Sequence, residues 1–107
     1  MTTRQEKVGN LIKELAAYYI ETQTNRTALI TVTHATVSKD LKNATIYITV
    51  LPEDKEQAVL DFVKRKRADM RNYLKKKMDT KIIPFIDLEI DLGEKNRQLI
   101  DRLSKEI

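Results

Sequence analysis

The sequence contains no cysteine and no tryptophan, one histidine, two glycines and two prolines in 107 residues. Without cysteine there is neither a disulfide framework nor a thiolate cage for a metal. With glycine only at positions 9 and 93, no glycine-rich loop can wrap a phosphate. Nucleophilic triads and general bases poised near neutrality draw mainly on His and Cys, which leaves His34 alone. It lies in a strand-like run, where a lone histidine is structural or simply exposed far more often than catalytic. An enzyme is therefore not expected, nor a cofactor or small-molecule substrate. No apolar run approaches the ~20 residues of a membrane span, and the opening MTTRQEKVGN does not have the form of a signal peptide. A cytoplasmic protein without membrane contact is the expectation.

What the chain does have is charge, unevenly placed. The length suits one domain over residues 1–107, with a single modest core. The formal net charge is +4, yet residues 64–81 hold nine Lys or Arg against two Asp, a balance of +7 that leaves −3 for the remainder. A basic patch on a slightly acidic body is the footprint of a polyanion binder. The densest part, residues 62–78, reads FVKRKRADMRNYLKKKM.

Periodicity gives the elements. Val8, Leu11, Ile12, Leu15, Ala16 and Tyr19 recur at helical spacing and predict a helix from about Arg4 to Thr22. The polar TQTNRT ends it, and the β-branched ALITVTHATVS predicts a strand. Its inward parity shifts near His34, from Ile30 and Val32 to Ala35 and Val37, which predicts a bulge or bend there. After the turn signal KDLKN, the residues Ala44, Ile46, Ile48 and Val50 alternate with Thr45, Tyr47 and Thr49, so an antiparallel hairpin is expected. Pro52 closes the second strand, and EDKEQ places acidic residues where a helix N-terminus favours them. At about 100° per residue, Val59, Val63, Met70, Tyr73 and Leu74 share one side of a helix, but Lys66 falls within the same arc. A helix break near Lys66, Arg67 and Ala68 removes that conflict, with Asp69 as the N-cap of a new helix from Met70. Ile86, Leu88 and Ile90 then alternate with Asp87, Glu89 and Asp91 in a third strand, with Pro84 at its start or edge. A last helix follows Gly93, with Leu99, Ile100, Leu103 and Ile107 on one face. The order helix-strand-strand-helix-helix-strand-helix implies an α+β fold, a three-stranded sheet covered on one face by helices. No apolar strip beyond these core faces is expected, which favours a monomer.

Two features bear on chemistry. Asp87, Glu89 and Asp91 share one strand face and could hold a hard cation, although the solvated face of an edge strand is the more economical reading, and no metal is assigned. The basic segment admits three readings. A solvated helix face explains single residues but not an excess that stores like-charge repulsion. A membrane-surface helix would remove Phe62, Val63, Met70 and Leu74 from a core that needs them. Nucleic acid remains, with Lys64, Arg65, Arg71, Lys75 and Lys76 outward to meet phosphates. No zinc-finger spacing, basic zipper or recognition helix is present. Only Tyr47, Tyr73 and Phe85 lie near candidate surfaces, so a base-stacking platform is weakly supported. Backbone and shape recognition of folded RNA, sensitive to salt, is the expectation.

The run VTHATVSKDLKNATIYITVL resembles the bacterial ribosome-binding factor A family at Val32, Val37, Ser38, Asp40, Leu41, Ala44, Ile46 and Tyr47. The likeness continues through Met70, Arg71, Leu74 and Met78, and through Ile83, Pro84, Leu88 and Asp91; KVGNLIKEL is similar to the family's first helix. It covers the chain from about Arg4 to Leu103. The resemblance implies a type II KH-like domain that binds the immature small ribosomal subunit, assists late maturation and processing of its rRNA, and leaves before translation starts. It also implies an assembly factor and not an enzyme. The family's domain has no GxxG loop and kinks between its middle helices, commonly at Ala-x-Gly; Lys66-Arg67-Ala68 stands there in this sequence. The expected phosphate contacts are Lys64, Arg65, Arg71, Lys75 and Lys76, then Lys66, Arg67, Lys77 and Lys81, with Arg4 and Lys7 extending the patch. The alternative is a general structured-RNA-binding or annealing module of the same fold.

Overall fold

The computed structural model describes residues 3–24 and 27–105. Two parts of the sequence reading, Asn25 and Arg26 of the TQTNRT break and Ile107 of the last apolar face, lie outside the described residues.

The first helix, α1 (Arg4–Gln23), begins at Thr3, whose hydroxyl accepts from the Glu6 amide at 3.2 Å. That satisfies one of the amides a helix leaves unpaired at its start. The helix buries Ile12, Ala16, Tyr19 and Ile20, while Leu11, expected on the same stripe, stays on the exposed shoulder. Gly9 lies where α1 crosses the sheet: a Cβ there would stand 3.0 Å from the Ala35 carbonyl oxygen, so the missing side chain lets the backbones approach.

Strands β1 (Leu29–Val37) and β2 (Asn43–Leu51) form the expected antiparallel pair. Ile30 opposes Val50 and Val32 opposes Ile48, then the register slips between Val32 and His34, and Ala35 opposes Ile46. Thr33 is the extra residue of a bulge, and this is why the inward parity changes. Strand β3 (Phe85–Ile90) lies parallel to β2 at the sheet edge, in the order β1-β2-β3, with Pro84 just before it. Ile86, Leu88 and Ile90 face the same side as Ala44, Ile46 and Ile48, their register partners.

The helices cover that one side. A short 3₁₀ turn (Glu53–Lys55) leads into α2 (Glu56–Arg65), which contributes Val63 to the core; α3 (Arg67–Lys77) contributes Met70 and Leu74. Full burial of side chains such as Ile46, Met70, Leu74 and Leu88 stabilises by roughly 1.5–3 kcal/mol each, so this interdigitated layer holds the domain together.

The break between α2 and α3 is where the sequence places it, with Lys66 at φ −93° and ψ 7°. This is the bridge region, which L-residues reach at negative φ, so the kink needs no glycine. The expected helix start differs, however. Only Lys66 leaves helical geometry, the Met70 amide already bonds the Lys66 carbonyl at 2.8 Å, and α3 starts at Arg67 without a side-chain cap. Asp69 is thus no N-cap: its carboxylate accepts the hydroxyl of Tyr19. Burial first, and this carboxylate second, push the Tyr19 hydroxyl well above its ordinary pKa.

The last helix, α4 (Leu92–Lys105), forms as its periodicity predicts, but its apolar face does not join the core. Leu92, Leu99, Ile100 and Leu103 are 40–65% exposed, which corrects the expectation of no apolar strip beyond the core faces. Among the described residues, the first turns of α4 are tied down by Asp91 and by Lys95 bonding Glu56 at 3.1 Å. Helical periodicity reports which residues share a face and not whether anything covers it.

Candidate nucleic-acid interface

The kink divides the basic segment into two clusters. Lys64 and Arg65 fall in the last turn of α2, and Lys75, Lys76 and Lys77 in the last turn of α3. Cations there interact favourably with the helix dipole, so two short helices tolerate a charge run that would strain one long one. The dipoles account for position but not for excess. Among the described residues Asp87 is the acidic partner of the segment, 3.4 Å from Arg67 and 4.0 Å from Lys64. Arg65, Lys66, Arg71, Lys75, Lys76 and Lys77 form no ion pair among the described residues.

The end of α2, the start of α3 and the edge strand β3 enclose a cleft of about 650 Å³. Its charged walls are Lys64, Arg65, Arg67 and Arg71, and Asn72 and Phe85 line it with them. Two other clefts, of about 290 and 600 Å³, lie near the C-terminal end of α1; one contributes a single cation, Lys55, and the other none. Only the α2–α3–β3 cleft of these three therefore suits a polyanion.

Arg71 has a role the sequence did not reveal. Its Nε donates to the Pro84 carbonyl at 3.2 Å and its Nη2 to the Ile83 carbonyl at 2.9 Å. Its Cζ stands 4.5 Å from the centre of the Phe85 ring. A planar fork with fixed donors suits this task, for which an ammonium would be a poor substitute. Arg71 thus fastens the connection entering β3, with two of its three nitrogens already committed.

The other expected contacts are dispersed. Lys75 and Lys76 are exposed on α3 beyond the cleft, and Lys81 is exposed in the connection to β3. Lys66 Nζ lies 5.8 Å from the Phe62 ring and Lys77 Nζ 5.9 Å from the Tyr73 ring, where they cover aromatic surface. Arg4 and Lys7 are exposed at the start of α1, where Gln5 donates to the Val37 carbonyl at 2.9 Å. No polar contact among the described residues joins Arg4 or Lys7 to α2 or α3. Arg67, ranked in the second group by sequence, is brought into the cleft.

The acidic trio does not form a cation site. Among the described residues no group of three or more His or acidic side chains could hold a metal. Asp87 pairs with the cations of the cleft, Glu89 is exposed, and Asp91 caps α4 by accepting from the Glu94 amide at 2.9 Å. Its other oxygen accepts the Thr33 hydroxyl at 2.5 Å and lies 3.2 Å from Nδ1 of His34. The Glu94 amide, then the Thr33 hydroxyl, hold the Asp91 carboxyl below the usual carboxylate range. His34 is half exposed and stacks on Tyr47, with ring centres 4.3 Å apart and planes 12° from parallel. Its position is structural, at the bulge. Phe85, one of the three aromatics that the sequence places near candidate surfaces, is 65% exposed. The available signal is its parity, opposite to the inward Ile86, Leu88 and Ile90.

The element order, the mixed three-stranded sheet and the kinked helix pair carrying the cations define an α+β domain of the type II KH-like class. Within that class the chain belongs to the ribosome-binding factor A family, whose model matches residues 4–104. It is 29% identical over 113 residues to ribosome-binding factor A of Macrococcus caseolyticus, covering 99% of each chain. It is 31% identical over 106 residues to that of Thermodesulfovibrio yellowstonii, covering 97% of this chain and 90% of the relative. The crystal structure of ribosome-binding factor A from Thermus thermophilus superposes with a TM-score of 0.73 at 18% identity, over 82% of this chain and 97% of that one. A Thermus thermophilus ribosome-binding factor A model fitted into a cryo-EM map of a 30S complex gives 0.67 at 20% identity, over 76% of this chain and 88% of that one.

Proposed function

We propose that this protein binds the small ribosomal subunit through the basic surface of α2 and α3 and assists late maturation and processing of its rRNA. The observation that supports this most directly is the α2–α3–β3 cleft, with four cationic side chains and one acidic partner, on a chain of a ribosome-binding family. A relative has been placed in a 30S complex, and the same partner is inferred here. Contact with phosphate releases counterions, so affinity falls as salt rises. The protein acts by binding and not by catalysis: it stabilises one arrangement of flexible rRNA by its differential affinity for that arrangement. It works in the cytoplasm without a cofactor, and residues 1–107 act as one RNA-binding domain. No helix among the described residues is long and apolar enough to cross a membrane.

Co-sedimentation with free small subunits, large subunits and joined ribosomes, at two salt concentrations and with a generic RNA duplex as competitor, tests this. Selective retention on free small subunits that survives the competitor is the expected result. Equal binding to every RNA, lost together as salt rises, would replace the proposal with a general RNA-binding module.

A further inference from the structure

We propose that the outer edge of β1, from Leu29 to Val32, takes up an extended peptide of a partner protein as a fourth strand, a peptide that is apolar toward the sheet and carries lysine or arginine. The inference concerns the edge of the sheet opposite the basic cleft, and it goes beyond the RNA reading without depending on it.

The register leaves this edge open. In β2 the Ile48 carbonyl accepts from the Asp91 amide at 2.8 Å, so the Ile48 backbone points toward β3. Val32, its partner on the other side, therefore points away from β2, and so does Ile30, which opposes Val50. Two amides and two carbonyls face outward, and among the described residues no hydrogen bond meets them. Such a row is a template for a further strand.

Elsewhere the sheet edges are closed. Beyond the bulge, α1 crosses close to β1: Gln5 donates to the Val37 carbonyl at 2.9 Å, and Gly9 lies against the Ala35 carbonyl. At the other edge, β3 has Pro84 before its first residue and Asp87 and Glu89 along it, residue types that discourage pairing. Leu29, Ile30, Thr31 and Val32 include neither a charge nor a proline. The open segment is thus short, flat and unprotected.

A cleft of about 600 Å³ runs beside it, between Ala17, Ile20 and Glu21 of α1 and Ile30 and Val32 of β1. A peptide laid between a helix and a sheet edge gains affinity from main-chain bonds and specificity from alternate side chains placed in the adjoining cleft. Ala17 is small and exposed, and Glu21 follows it by one turn on the same helix face. An apolar side chain fits against the first while a cation reaches the second. Among the described residues Glu21 is the one charged side chain of this cleft. From Glu14 to Gln23, α1 carries two carboxylates and no cation, and its last turn adds the negative end of the helix dipole. RNA phosphates are repelled here. Two copies of this chain joined by this edge would bring two such acidic ends together, so a basic peptide is the better partner.

The probe is an acetylated Lys-Val-Thr-Val-Thr-Lys peptide, titrated into the whole chain and followed by amide NMR and hydrogen exchange. In the free protein the Ile30 and Val32 amides should exchange fast, while the Thr31 amide, turned toward Thr49, is protected. With peptide, Ile30 and Val32 should gain at least about tenfold in protection. The same peptide with glutamate in place of lysine should bind about threefold or more weakly, as should the lysine peptide with Glu21→Lys. Ala17→Phe, at an exposed helix position, fills the cleft and should weaken binding at least about tenfold. Ile30 and Val32 amides as protected as Thr31 in the free protein would overturn the proposal, as would no gain in protection at the highest soluble peptide concentration. Protection that rises with protein concentration alone would replace the peptide with a second copy. Equal binding of the lysine and glutamate peptides, or an unstructured RNA strand that moves the same two amides, would also overturn it.

Discussion

The two ends of β3 are both polar and crowded with charge, yet they are built for different purposes. At its C-terminal end, Asp91 uses one oxygen on the Glu94 amide and the other on Thr33 and His34. Its capacity is spent within the protein, and what it achieves is the joining of the β1 bulge to the start of α4. At the N-terminal end, four cations line a cleft with Phe85, and two of them, Lys64 and Arg67, share one carboxylate, Asp87. Lys64 and Arg65 keep most of their capacity, whereas Arg67 also donates its Nε to the Lys64 carbonyl at 3.0 Å. A charged residue's role thus follows from how many of its hydrogen-bonding positions the fold already occupies, and not from its charge or its neighbours in sequence. Arg71 shows this within the cleft, because it stands among binding cations and yet does structural work.

Substitutions at the two ends should therefore separate stability from binding. The largest effect on stability is expected for Asp91→Ala, which removes a helix cap and the acceptor for Thr33. A loss of about 2–3 kcal/mol in urea denaturation is expected, with small-subunit affinity unchanged for the folded fraction. An equal drop in affinity would mean that the C-terminal end also faces the RNA. Next, Lys64→Glu with Arg65→Glu should weaken subunit binding by at least about tenfold and shallow its salt dependence by about two phosphate contacts. Two carboxylates in the last turn of α2 oppose its dipole and face Asp87, so a stability loss of about 1–2 kcal/mol is expected; affinity of the folded protein unmoved by this double reversal would remove the cleft from the interface. Arg71→Lys is the intermediate case. It keeps the charge but cannot span both carbonyls and the ring, so about 1 kcal/mol of stability should be lost, together with a smaller loss of affinity. A charge reversal at Arg71 is a poor probe of phosphate contact for the same reason.

The smallest expected effect is on acid sensitivity. The Asp91 carboxyl is held below its ordinary range by the Glu94 amide and the Thr33 hydroxyl. Its contribution is therefore complete above the unfolded carboxylate pKa, about 3.9, and lost as pH falls through the lower folded value. Asp91→Asn keeps a capping oxygen but does not titrate. Wild type should lose stability below about pH 4 more steeply than this variant in thermal melts at graded pH. Parallel acid limbs would place the acid sensitivity in other carboxylates.

Much of the fold was legible in the sequence because it depends on patterns of short range. The alternation from Ala44 to Val50 describes a half-covered strand, and the parity change around His34 marks the bulge at Thr33. Lys66 within an apolar arc signals the helix break, since a buried ammonium is more costly than a kink. The start of α3 was misread because a helix can resume one residue after a break, and Asp69 found a partner in Tyr19, which is 50 positions away. The cleft was half legible. Its cations stand out in the composition, but sequence could not separate Arg67, which lines it, from Lys75 and Lys76, which lie beyond it.

By itself, the sequence determined the order and type of the elements, the residues forming the core, the place of the kink and the concentration of positive charge. These follow from side-chain periodicity and from local costs paid within a few residues. Only the tertiary structure decided which charges remain available. Arg71 meets carbonyls 12 and 13 positions ahead of it, and Asp91 meets Thr33 across 58 positions. The same holds for the exposed apolar face of α4 and for Phe85. A helical or strand pattern assigns a residue to a face, but whether that face is covered depends on what the rest of the chain brings to it.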